Sequence, residues 1–118
     1  MAATPALDFV LFHVADLGSA LAFFSEKLGC ARVLDEDAPG FHFLRGGHGV
    51  DFGLAQVHPG GPAAGTVQVY FKTADLEGAR AALLRQQVDA APIVSLPFGP
   101  VFDVGAPDGF ALTLLGAV

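Results

Sequence analysis

From residue 8 to residue 14 the side chains fall into two alternating sets, Val10, Phe12 and Val14 against Phe9, Leu11 and His13. That period of two predicts a β-strand. The next apolar positions change step. Leu17, Ala20, Leu21, Phe24 and Leu28 recur every three or four residues, the stripe of a helix that covers a sheet. Asp16 stands where this helix begins, with a carboxylate suited to the free N–H groups and the positive dipole end of a first turn. Gly29 follows as a helix stop. Three strand-like runs come next, at 31–34, 41–44 and 50–55, with turn residues at Ala38-Pro39-Gly40 and Arg45-Gly46-Gly47.

The same order then repeats. Phe12, Ala15, Asp16, Leu17 and Ala20 match Phe71, Ala74, Asp75, Leu76 and Ala79 at a constant offset of 59, half of the 118 residues. Val10 and Ala22 likewise fall on Val69 and Ala81. Self-similarity at half the chain length is the signature of a duplicated unit. The second copy reads as a strand at 67–73, a helix carrying Leu76, Ala79, Leu83 and Leu84 to about Gln87, and strands at 91–95, 101–104 and 110–114. A turn at Pro107-Asp108-Gly109 precedes the last strand. The Pro- and Gly-rich stretch 58–64 predicts a flexible connector between modules at about 5–57 and 65–116 of one domain, 1–118.

Composition narrows the function. Hydrophobic residues make up 53% of the chain and charged residues 15%, more apolar surface than a small core needs, which points to an interface or an apolar-lined cavity. Net charge is −6 with six Lys and Arg in total, too few to neutralise nucleic-acid phosphates. No apolar run is long enough to span a membrane. The opening MAATPALDF lacks the basic start and apolar stretch of an export signal, so the expected location is the cytoplasm. Cys30 is the only cysteine, which excludes an intrachain disulfide and a thiolate cluster.

Taken in order, the Ala15-Asp16-Leu17 opening, Ala22-Phe23-Phe24, Leu28-Gly29, the second Ala74-Asp75-Leu76, and Pro97-Phe98-Gly99 before Phe102, Val104 and Pro107-Asp108-Gly109-Phe110 resemble the vicinal-oxygen-chelate superfamily. This is the glyoxalase, bleomycin-resistance and extradiol-dioxygenase group, and the resemblance covers nearly the whole chain. It implies an α+β fold of two tandem βαβββ modules, with curled mixed sheets enclosing a cleft and helices outside. It also implies pairing of units within a chain or across a homodimer.

Metal-dependent members place His, Gln or Glu at four positions, which correspond here to Phe9, Gly53, Gln68 and Thr113. Phe and Gly carry no donor, so no metal and no cofactor are expected. A rebuilt site from His42, His48, Asp51 or Asp103 lacks an acid at the right register.

Strand alternation assigns Val10, Phe12, Val14, Val67, Val69, Phe71 and Thr73 to the helices. The opposite set, Phe9, Leu11, Gln68 and Tyr70, mixes apolar walls with polar groups, as a ligand cleft does. Phe9 suits core packing equally well. Asp51 alternates with Gly53 and Ala55, where its carboxylate meets a cationic ligand, acts as a base or is simply exposed. Phe98 stands where the family often has Trp and suits stacking on a planar ligand. His42, Phe102 and Thr113 complete the expected ligand set, while His13 and Lys72, at strand ends, suit a solvated rim, and His48 and His58 solvated turns. The resemblance therefore implies a metal-independent small-molecule-binding protein like the bleomycin-resistance proteins, sequestering a drug or metabolite. The alternatives are a glyoxalase-like lyase, isomerase, hydrolase or dioxygenase, with a relocated metal or an Asp51, His42 and Tyr70 acid–base set, and an interaction module with no ligand.

Overall fold

The computed structural model describes residues 5–33, 39–46, 51–97 and 99–116. The chain divides into two compact units, residues 9–67 and residues 68–118 with 1–8. In the first, β1 (Ala6–Val14) leads into α1 (Leu17–Ala22), and then β2 (Ala31–Arg32), β3 (Phe41–Arg45) and β4 (Asp51–Gln56) follow. Their sheet has the order β2-β3-β4-β1, with β1 parallel to β4 and the other pairs antiparallel. The second unit repeats this with β5 (Val67–Thr73), α2 (Leu76–Arg85), β6 (Val94–Leu96), β7 (Gly99–Gly105) and β8 (Ala111–Gly116), in the order β5-β8-β7-β6. Again the opening strand is parallel to the last.

The duplication extends to register. Val10 lies opposite Phe52 as Val69 lies opposite Leu112, and Leu11 opposite Gly53 as Tyr70 opposite Thr113. Phe12 opposite Leu54 matches Phe71 opposite Leu114. The two helices start alike because the capping chemistry is local. Asp16 accepts from the Ser19 N–H at 3.2 Å and Asp75 from the Gly78 N–H at 3.0 Å. Hydrogen bonds from the Ser19 N–H and then its hydroxyl hold the Asp16 carboxyl below the usual carboxylate range. Gln56 adds a tie that sequence reasoning missed: its side chain accepts from the Leu17 N–H at 2.9 Å and donates to the Ala15 carbonyl at 2.6 Å.

The first helix departs from the single stripe expected of it. After Ala22 it widens into a π-helical segment, Phe23–Lys27, in which the Leu28 N–H reaches back five residues to the Phe23 carbonyl. Phe24 thereby stacks on Phe12, with centroids 5.6 Å apart, and packs on Phe52 at 5.1 Å. Gly29 ends the helix at φ +77°, where a side chain would be strained. In the second unit, Leu76, Phe102 and Leu114 form the buried centre between α2 and the sheet, with Phe71, Ala79 and Leu83 against it. Each large apolar side chain so buried contributes roughly 2 kcal/mol.

Three other expectations change. The strand expected at 91–95 begins only at Val94, because Pro92 offers no N–H to the ladder; before it, Ala90 makes an isolated bridge to Val104. The last strand starts at Ala111, since Asp108 and Gly109 turn with positive φ and leave Phe110 exposed. The connector holds hydrogen-bonded turns: Gly61 N–H to His58, Thr66 N–H to Ala63, and two bonds that tie Gly65 and Thr66 to His13. Leu34 and Val50, at the edges of expected strands, lie outside the described residues. Among the described residues, no helix is long and apolar enough to cross a membrane.

Candidate functional site

Each sheet has a face turned away from its helix, and the two faces differ in chemistry. In the first unit the register sets Leu11, Gly53 and Phe43 side by side on that face. Gly53 has no side chain, and its neighbours use the space. A Cβ built there would lie 2.6 Å from Leu11 Cδ1 and 2.9 Å from Phe43 Cε1. Phe9 packs its ring edge-on against Phe43, with centroids 5.3 Å apart and planes at 79°. Leu11, Phe43 and Phe9 are all buried. This is a packed apolar plug, and Phe9 is part of it.

At the same place in the second unit the row reads Tyr70, Thr113 and Asp103. Gln68, one side-chain repeat before Tyr70, donates from Nε2 to Thr113 Oγ1 at 2.5 Å. Thr113 passes its own hydroxyl hydrogen to Asp103 Oδ1 at 2.8 Å. The polar row therefore runs in one direction, from amide through hydroxyl to carboxylate. Thr113 and Tyr70 are buried, while Asp103 reaches solvent. Burial, and then the negative charge of Asp103, push the Tyr70 hydroxyl well above the ordinary tyrosine range, so it stays protonated.

The four positions that the resemblance equates with metal ligands carry little metal-binding chemistry. In the first unit they hold a phenyl ring and a glycine whose space is filled by Leu11 and Phe43. In the second they hold an amide and a hydroxyl bonded to one another. Divalent ions take carboxylates, imidazoles or several oxygens in one shell, and neither pair supplies that. Among the described residues, no group of three His, Cys, Asp or Glu side chains is placed to hold an ion. The donor set does not fit a metal.

The remaining site residues separate. Asp51 shares the face of Gly53 but is held in a two-point ion pair with Arg45, at 2.7 and 3.2 Å. His42 lies opposite Leu54 and so belongs to the helix-side face, with Arg32 at 3.4 Å from Nδ1. Phe102 likewise faces α2 in the buried centre with Leu76. Both corrections have one cause: a strand's parity is fixed by its turn, and the Gly-rich turns left it open. His13 is buried at 7% exposure rather than solvated, whereas Lys72 is exposed as expected. His58 is exposed in its turn, and Phe98 and His48 lie outside the described residues. Asp103, absent from the expected ligand set, stands by register where the first unit has Phe43, a match hidden in the sequence because the offset of 59 sets it on Leu44.

No family model matches the chain, and no curated protein matches it. Solved structures do. Methylmalonyl-CoA epimerase from Mycobacterium tuberculosis superposes with a TM-score of 0.75 at 20% identity, covering 100% of this chain and 93% of that one. A glyoxalase/bleomycin resistance protein/dioxygenase superfamily member from Vibrio splendidus gives 0.71 at 19% identity, covering 97% and 100%. A variant of homoprotocatechuate 2,3-dioxygenase from B. fuscum gives 0.72 at 16% identity, covering 99% of this chain and 34% of its own. The chain thus has the α+β vicinal-oxygen-chelate fold. Its structural neighbours include enzymes, and fold alone does not carry an activity across.

Proposed function

We propose that this chain binds a small organic molecule without a metal, in the manner of the bleomycin-resistance proteins, in a cleft completed by a homodimer. One observation carries the reading. The positions that would hold an ion are spent on packing in the first unit and on a Gln68–Thr113–Asp103 hydrogen-bond row in the second. In the second unit that row ends on a solvent-reaching carboxylate beside a protonated tyrosine, which suits binding rather than Lewis-acid chemistry. The carboxylate of Asp103 and the net charge of −6 favour a neutral or cationic ligand. The exposed side chains of Leu7, Leu28, Val94 and Phe110, 53–69% accessible, support self-association.

An acid–base enzyme built on Asp51, His42 and Tyr70 has less support. Asp51 is committed to Arg45, and His42 points to the other face of the same sheet. The test is a thermal-shift screen with bleomycin, other planar cationic antibiotics and glutathione thioethers, run with and without EDTA, with sedimentation to report assembly. A dimer whose midpoint rises with a ligand, equally in both conditions, is the expected outcome. A rise that needs a divalent ion would favour the enzyme reading. No rise with any of these compounds would leave the chain as an interaction module, and a monomer would remove the shared cleft.

A further inference from the structure

The duplicated register shows where the second unit lacks volume that the first contains. Between helix and sheet in the first unit, Phe12 stacks on Phe24 at 5.6 Å and 29° and meets Phe52 edge-on at 5.8 Å. Phe71 is the counterpart of Phe12, as its pairing with Leu114 shows. The counterpart of Phe52 is Leu112, and on the helix the offset of 59 equates Phe24 with Leu83 and Phe23 with Ala82. Two rings of that interface are thus replaced by leucine, while Phe23, itself exposed, is replaced by Ala82. Among the described residues, no ring stacks on Phe71 as Phe24 stacks on Phe12. In their place lies a cavity of about 380 Å³ beside α2, partly open to solvent and walled by Phe71, Leu83, Leu112 and Leu114.

We propose that this cavity binds a neutral aromatic molecule of one or two fused rings, its ring lying against Phe71 as Phe24 lies against Phe12. Helix–sheet interfaces are ordinarily close-packed, as Phe12, Phe24 and Phe52 are in the first unit, so a gap of this size is a departure. An apolar cavity of about 150 Å³ admits benzene, and this one has room for a second ring. Aromatic side chains prefer offset or edge-on ring partners, which a planar ligand supplies and an alicyclic one does not. No charged side chain lines the cavity, which disfavours an ion there. Thr73 and Gln86 are its polar lining residues, and no hydrogen bond within the described residues engages the Thr73 hydroxyl, so it is available to one polar substituent. This site is on the helix side of the sheet and does not depend on the reading of the opposite face.

The test uses 2-naphthol as probe on the full chain, by calorimetric titration and by nuclear Overhauser contacts. Wild type is expected to bind it, with contacts to the methyl groups of Leu83, Leu112 and Leu114. Decahydro-2-naphthol, the saturated counterpart, is expected to bind more weakly. Leu83→Phe and Leu112→Phe, which restore the rings of the first unit, are expected to lower 2-naphthol affinity at least about tenfold. Leu84→Phe, on the exposed side of α2, is the control and should leave it unchanged. Absence of binding, contacts to Phe9 and Leu11 instead, equal affinity for the saturated compound, or full affinity in a folded filled variant would each overturn the proposal. The wild-type contacts decide the matter even where a filled variant fails to fold.

Discussion

Thr113 donates its hydroxyl hydrogen to Asp103 across the β7–β8 pair at 2.8 Å, at the place where the first unit sets Gly53 beside Phe43. One position of a duplicated sheet has thus become polar in one copy and apolar in the other. The Thr113 hydroxyl is buried and both accepts and donates, so its removal breaks two bonds at once. Thr113→Val keeps the shape and should cost about 2 kcal/mol in urea unfolding. A change near zero would mean that the row adds nothing to the fold.

Tyr70 is the only tyrosine, and there is no tryptophan, so ultraviolet titration of tyrosinate reports this one hydroxyl. Its pKa is raised by burial and by Asp103, so the folded chain keeps a proton that the unfolded chain releases above pH 10. This contribution to stability is therefore intact below the unfolded value and is lost as pH rises through the folded one. The tyrosinate signal should appear only with unfolding. Tyr70→Phe should flatten the alkaline decline in stability. Titration of folded protein at the ordinary tyrosine value would refute the placement.

Gly53 has no room for a methyl group, because Leu11 and Phe43 already meet over it. Gly53→Ala should therefore destabilise by about 2 kcal/mol through overpacking. Leu11→Ala should cost about 3 kcal/mol as a buried cavity. In the double variant the new methyl enters the space that Leu11 vacates, so the combined loss should fall short of the sum. Additive losses would show that the two side chains do not share that space.

Much of this was readable in the chain because it is local. The Asp16 and Asp75 caps, the Gly29 stop and the repeat itself depend on residues close in sequence, and the helix-facing set Phe12 and Phe71 follows from alternation alone. What escaped depends on distant partners. The π-helical segment forms where Phe24 meets Phe12 and Phe52, 12 and 28 residues away. Which way His42 and Phe102 face was set by cross-strand register, which their flanking turns did not reveal. His13 looked like a rim residue from its place at a strand end, but the chain at Gly65 and Thr66 hydrogen-bonds to its backbone. The Gln68–Thr113 bond joins residues 45 apart and has no trace in either neighbourhood.

Metal content of the purified protein bears most directly on the central claim, that the positions of an inherited ion site now serve packing and hydrogen bonding. Elemental mass spectrometry after growth in metal-supplemented medium and dialysis without chelator is the measurement. Well below one equivalent of zinc, iron, manganese or nickel per chain is the expected result. A stoichiometric ion that is lost on exchanging Gln68 and Thr113 for alanine would contradict it.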